Sequence, residues 1–195
     1  MTKQRETNQT KRLAKLGIIT AILLIQNFVP LLGNLPIPPL NPTIIHVTVI
    51  VTTILMGTKD GMLAGFIWGI IRLFRAFAMP ATPLDPLLWV NPFISVLPRV
   101  LIGLTTGFIF YMLSKKFPDS KLRISIAAFV GSLTNTIFVM IFIYIFFNAE
   151  VAHLMNIDMS NIAYGLMAII VTSGIPEALV AAFLTPLIVK PLQKL

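Results

Sequence analysis

Three arginines, Arg72, Arg75 and Arg99, stand in stretches otherwise suited to lipid. Two lie in GIIRLFRAFAMP (69–80), and the third follows Pro98 in LPRVLIG. A guanidinium in hydrocarbon is costly unless it faces a protein interior or a wet cavity. Its planar fork grips a carboxylate through two parallel hydrogen bonds. Glu177, in an apolar stretch near the carboxyl end, is the one acid at comparable depth. Three arginines against one glutamate leave a positive excess, and burying unpaired charge is unfavourable. The chemistry these residues can do is capture of a small anion, a carboxylate first.

Such residues need elements that hold them inside a membrane. The 195-residue chain is 56% hydrophobic and 11% charged, with a mean hydropathy of +0.89. That density of apolar residues means membrane helices, and the alternation of a transmembrane β-barrel is absent. The net charge of +8 is not massed on one amphipathic face, which argues against nucleic acid. There is no cysteine, hence no disulfide or thiolate metal site. Leu13 to Leu32 is too long for a signal-peptide core and lacks a small-x-small cleavage site, so it reads as a retained helix.

Proline, glycine and charge divide the chain into six apolar segments, near 13–32, 43–57, 61–79, 97–114, 123–147 and 161–190. The expected fold is all-α: one bundle of six transmembrane helices over 13–195, preceded by a basic tail over 1–12. The second segment is short for a span, and the sixth is long, with a bend expected near Gly174 and Pro176. Lys3, Arg5, Lys11, Arg12 and Lys15 lie at the amino end, Lys59 in the second loop, Lys115, Lys116, Lys121 and Arg123 around the fourth, and Lys190 and Lys194 at the tail. The other loops hold Asp85, Glu150, Asp158 and His153 but no Lys or Arg. By the positive-inside rule both termini face the cytoplasm.

Counting 1.5 Å per residue from each cytoplasmic end puts Gln26, Asn27, His46, Arg72, Arg75, Arg99, Asn135 and Glu177 in one layer, about 17–22 Å deep. Each has an alternative reading. Arg75, near the outer end of its segment, can snorkel to headgroups. Arg99 and Glu177 can form a structural pair. Asn135 can bond between helices, and two histidines are too few to argue a metal site.

Ten of the fourteen prolines fall in two outer segments, 30–42 and 80–98. Their fixed φ makes these stiff apolar caps, placed to act as lids from which Asn91 and Trp89 can reach a ligand. Trp68 can line the cavity from the third segment. Ala14, Gly17 and Ala21 share one face of the first helix at close-contact spacing, either for internal packing or for a partner. No P-loop motif is present, nor a nucleophile elbow or H-E-x-x-H zinc motif. The chain reads as a non-enzymatic binding or transport protein, with no cofactor of its own.

The stretches KRLAKLGIITAILLIQ, HVTVIVTTILMGTKDGMLAGFIWGIIRLFRAF, NPFISVLPRVLIGLTTG and SGIPEALVAAFLTPLIVKPL resemble the substrate-binding S components of energy-coupling-factor (ECF) vitamin transporters, most nearly the pantothenate type. The resemblance covers nearly the whole chain. It implies capture of a vitamin from outside a bacterial plasma membrane, and release inward as the component topples against a transmembrane coupling protein, EcfT. It also implies two cytoplasmic ATPases, EcfA and EcfA′, that use ATP and magnesium. Family members carry Ala-x-x-x-Ala on the first helix toward the coupling protein; here Gly17-Ile-Ile-Thr-Ala21 stands in that place. The family's ligands are held by the lids and helices four to six, regions that here contain Asn91, Arg99, Asn135 and Glu177. Folate, also anionic, is an alternative ligand, and a proton-coupled carrier using Glu177 is an alternative mechanism.

Overall fold

A computed structural model describes residues 2–29, 31–33, 43–80, 82, 84–118 and 120–194. Most of the first proline-rich lid, Pro30 and 34–42, lies outside the described residues. The described chain is helical: α1 Thr2–Phe28, α2 Ile45–Met56, α3 Thr58–Ala78, α4 Asp85–Leu88, α5 Pro92–Ser95, α6 Leu97–Met112, α7 Lys121–Met155, α8 Ile162–Ile169 and α9 Ile175–Leu192. Among the described residues, four stretches are long and apolar enough to cross a membrane: Thr58–Ala78, Pro92–Met112, Lys121–Leu154 and Met159–Leu192. The 12-residue α2 reaches only about 18 Å. α1 runs unbroken through residue 12, so basic tail and apolar run share one helix.

Gly57 separates α2 from α3 at φ +100°, a backbone setting that a side chain would strain. Three residues on, Asp60 sits in the first turn of α3, where the helix dipole favours an acid. Arg12 Nε donates to both Asp60 oxygens, at 2.8 and 3.1 Å, and Nη2 adds a third bond. This fork ties α1 to α3 at the basic end of the bundle, and Asp60 raises the Arg12 pKa above its ordinary value.

α3 and α6 touch backbone to backbone. A Cβ at Gly65 would run into the carbonyl of Arg99, and one at Gly103 into the backbone of Gly61 and Met62. Small residues at such seams let helices pack by dispersion where no hydrophobic drive separates lipid from protein. The glycine spacing of α3 is therefore an internal seam, and it fixes Arg99 against α3. Gly65→Ala is expected to force the helices apart and cost about 1–3 kcal/mol, seen as a lower melting temperature in detergent.

The α1 stripe behaves differently. Ala14, Gly17 and Ala21 are exposed, and a Cβ on Gly17 would meet nothing within 4 Å. Among the described side chains of this helix, Leu16, Leu23 and Asn27 are buried. The stripe thus faces away from the core.

Pro86, Pro92 and Pro98 each fall in the first turn of α4, α5 or α6, where a missing N–H costs nothing. These short helices fold the second lid inward. Leu88, Trp89 and Ile94 join a core with Val139, Met140, Ile143, Leu166 and Ile169 from α7 and α8. α7 departs from helical geometry at Phe147 (φ −139°, ψ 26°), where its membrane segment was expected to end, but continues to Met155. Between α8 and α9 a π turn, Ile170–Gly174, falls at the expected bend. Pro176 has no N–H for the carbonyl of residue 172, and the ladder slips there.

Candidate functional site

The polar groups buried by this packing open onto a cavity of about 60 Å³ under the second lid. α3 supplies Trp68 and Arg72, α6 supplies Arg99, α7 supplies Asn135 and Thr136, and the π turn with α9 supplies Ser173, Gly174 and Glu177. Trp89 and Thr43 enter from the outer segments, and Val139, Met140 and Ile169 are among the apolar lining. Gly174 is small where the π turn presses on Thr136, whose Cγ2 would lie 2.7 Å from an added Cβ.

Two guanidiniums and two indoles alternate. Arg72 Cζ lies 4.9 Å from the Trp89 ring centre, and Arg99 Cζ lies 4.7 Å from Trp89 and 5.1 Å from Trp68. Ring quadrupoles attract such cations, most strongly when water is excluded. This is how the fold tolerates two arginines 7% and 3% exposed. The lid contributes Trp89, and Ser95 Oγ donates to the Trp89 carbonyl to hold that residue in place.

The arginines differ in their partners. Arg72 Nη2 donates to Asp85 Oδ1 at 3.1 Å, and Thr82 Oγ1 donates to the same oxygen at 3.0 Å. Arg99 Nη1 donates to the Ile94 carbonyl, while its buried Nε has no hydrogen-bond partner. Arg99 and Glu177 line the same cavity but form no ion pair among the described residues. Glu177 Oε1 instead accepts the Thr43 N–H at 3.0 Å. Asn135 Oδ1 and Trp68 Nε1 are also buried without partners. The cavity therefore offers one guanidinium that feels the Glu177 charge but makes no direct ion pair among the described residues, beside a carboxylate and an amide able to accept hydrogen bonds.

Of the nine candidate binding residues, Trp68, Arg72, Arg99, Asn135 and Glu177 come together, and Asn27, His46, Arg75 and Asn91 stand outside the lining. Asn27 Nδ2 donates to its own helix at the Leu23 carbonyl, 2.7 Å. Asn91 caps α5, accepting the Phe93 N–H at 2.9 Å. His46 is buried at the start of α2. Arg75 is part-exposed one turn beyond Arg72. The expected excess of two charges must be corrected, because it left Asp85 in an outer loop and counted Arg75 in the cavity. Asp85 is 1% exposed and paired with Arg72, so in and beside the cavity Arg72 and Arg99 stand against Asp85 and Glu177. A buried acid in a lid without basic residues is the sequence signal that points to it. Thr43, just before α2, and Thr136 and Ser173, within apolar helical stretches, were also missed; lone hydroxyls there carry no pattern of their own.

An all-helical bundle with a polar cavity beneath a proline-rich cap is the architecture of a membrane-embedded binding component. A family model described as "ECF transporter, substrate-specific component" matches residues 11–189, and the chain belongs to that family. It is similar to the Pantothenic acid transporter PanT of Lactococcus lactis subsp. cremoris, 29% identical over an alignment of 194 residues that covers 93% of each chain. It is also similar to the Pantothenate transporter PanT of Leuconostoc mesenteroides subsp. mesenteroides, 30% identical over 183 residues, covering 91% of this chain and 89% of the relative.

Proposed function

We propose that this chain is the pantothenate-binding S component of an ECF importer, taking the vitamin from the outer face of a bacterial plasma membrane. The observation that carries the reading is Arg99: a buried guanidinium, stacked between two indoles, that opens onto a cavity and faces no acid within ion-pair distance. Pantothenate carries one carboxylate to meet it. Its hydroxyls and amide N–H can donate to Glu177 and Asn135, which stand in the same cavity.

In this reading both termini are cytoplasmic, as the distribution of Lys and Arg indicates, and α1 and α2 complete six crossings. Ala14, Gly17 and Ala21 form the face presented to the coupling protein; their exposure on α1 supports that role. Two partner ATPases supply the energy, and reorientation of the whole component delivers the vitamin inward.

The chain has two tryptophans, and both line the cavity. Titrating purified protein with pantothenate should therefore change tryptophan emission saturably. Unchanged emission together with no heat on titration would rule the reading out. In cells, uptake is expected only when the coupling protein and ATPases are co-expressed. Uptake by the chain alone, abolished by collapsing the proton gradient, would favour a proton-coupled carrier instead.

A further inference from the structure

We propose that Asp85 determines specificity by setting how many negative charges the bound ligand can carry. The proposal rests on the anionic-vitamin reading above and sharpens it to a monoanion. Asp85 does not line the cavity; it reaches Arg72 from the lid, 1% exposed, through a 3.1 Å ion pair. That contact claims one of the two arginines in the lining. Arg99, the other, has a carbonyl and two indole faces for company and the charge of Glu177 across the cavity, but no carboxylate in ion-pair contact among the described residues. Arg75 is not among the lining residues.

A ligand with one carboxylate can thus be neutralised at Arg99. A second anionic group would find no unclaimed guanidinium in the lining, and would meet the Glu177 carboxylate and the field of Asp85. In a desolvated site an uncompensated charge is strongly disfavoured. Discrimination therefore comes from repulsion and missing partners as much as from attraction. Removing the Asp85 charge releases Arg72 into the cavity as a second cation and relaxes the limit.

The test compares pantothenate with N-pantoyl-aspartate, which has the same skeleton and one further carboxylate on the β-alanine unit. Calorimetric titration of the purified full-length chain is expected to show pantothenate bound at least about 100-fold more tightly, the size of one well-placed charge interaction. In Asp85→Asn that ratio should shrink at least about tenfold, mainly because the dianion binds better. Arg72→Gln/Asp85→Asn, which leaves no lone charge, should restore the wide ratio, and Asp85→Glu should keep it. A merely structural role for Asp85 would move both affinities together, so an unchanged ratio in Asp85→Asn overturns the proposal. Should that variant fail to fold, equal affinities in the unmodified protein, or a ratio lost in Asp85→Glu, do the same. A wild-type protein that binds neither compound removes the anionic-vitamin reading itself, and the proposal with it.

Discussion

Replacing Arg99 by glutamine is expected to weaken pantothenate binding by about 2–5 kcal/mol, the range for truncating one member of a buried charge pair. That is a loss of roughly 30- to several-thousand-fold, measurable by fluorescence titration. The size follows from the setting. Arg99 is 3% exposed, shielded by Trp68 and Trp89, and starts α6 behind Pro98, where the helix dipole gives a cation no help. A carboxylate bound there would be its missing counter-charge. Arg72→Gln should behave differently. It strands the buried Asp85 carboxylate without its guanidinium, so a lower melting temperature should accompany any loss of affinity. An Arg99→Gln variant that binds as tightly as the parent would assign the carboxylate to another group.

Gly17→Leu is expected to abolish vitamin uptake in cells that contain the coupling protein and ATPases, while binding by the purified chain stays within about twofold of the parent. Gly17 faces open space, so a leucine there disturbs no internal packing; what it removes is the smooth surface on α1. Small residues allow membrane helices to approach closely, and a branched side chain in that seam holds the partner off. The check is paired: radiolabelled uptake in cells, and co-purification of the coupling protein with tagged chain. Loss of binding in the isolated Gly17→Leu protein would instead make the stripe part of the core. Gly65 provides the contrast, since a Cβ there meets the backbone of α6, and its substitution should cost stability before it touches assembly.

The contrast between Gly17 and Gly65 also marks what sequence alone could read. Both sit in four-residue glycine or small-residue spacings, and the spacing is the same whether the face meets a sister helix or a partner. Only the packing of α3 against α6 separates them. Distance along each helix was legible by counting residues, and Arg72, Arg99, Asn135 and Glu177 do meet in one cavity. Direction around the helix axis was not. Asn27 counts to the same layer along its helix, yet its side chain turns back on α1. Arg75 is three residues, nearly one helical turn, from Arg72, but only Arg72 enters the lining.

Asp85 shows a second limit. Its segment reads as an outer loop, so Asp85 enters the sequence only as a loop charge that sets orientation and not as a member of the polar layer. In the fold, Pro86 and Pro92 start two short helices that turn the segment inward, and an acid 13 residues from Arg72 becomes its partner. Burial of Leu88 and Ile94 against α7 and α8 drives that turn, a tertiary effect with no local signature. The break in the helical ladder at the π turn was legible because its cause, Pro176, is local.

A structure of the purified chain with pantothenate bound tests the central claim most directly. The expected result is the vitamin's carboxylate within hydrogen-bond distance of the Arg99 guanidinium, beneath Trp89 and beside Asn135 and Glu177. A carboxylate held elsewhere, with Arg99 still facing no acid, would contradict it.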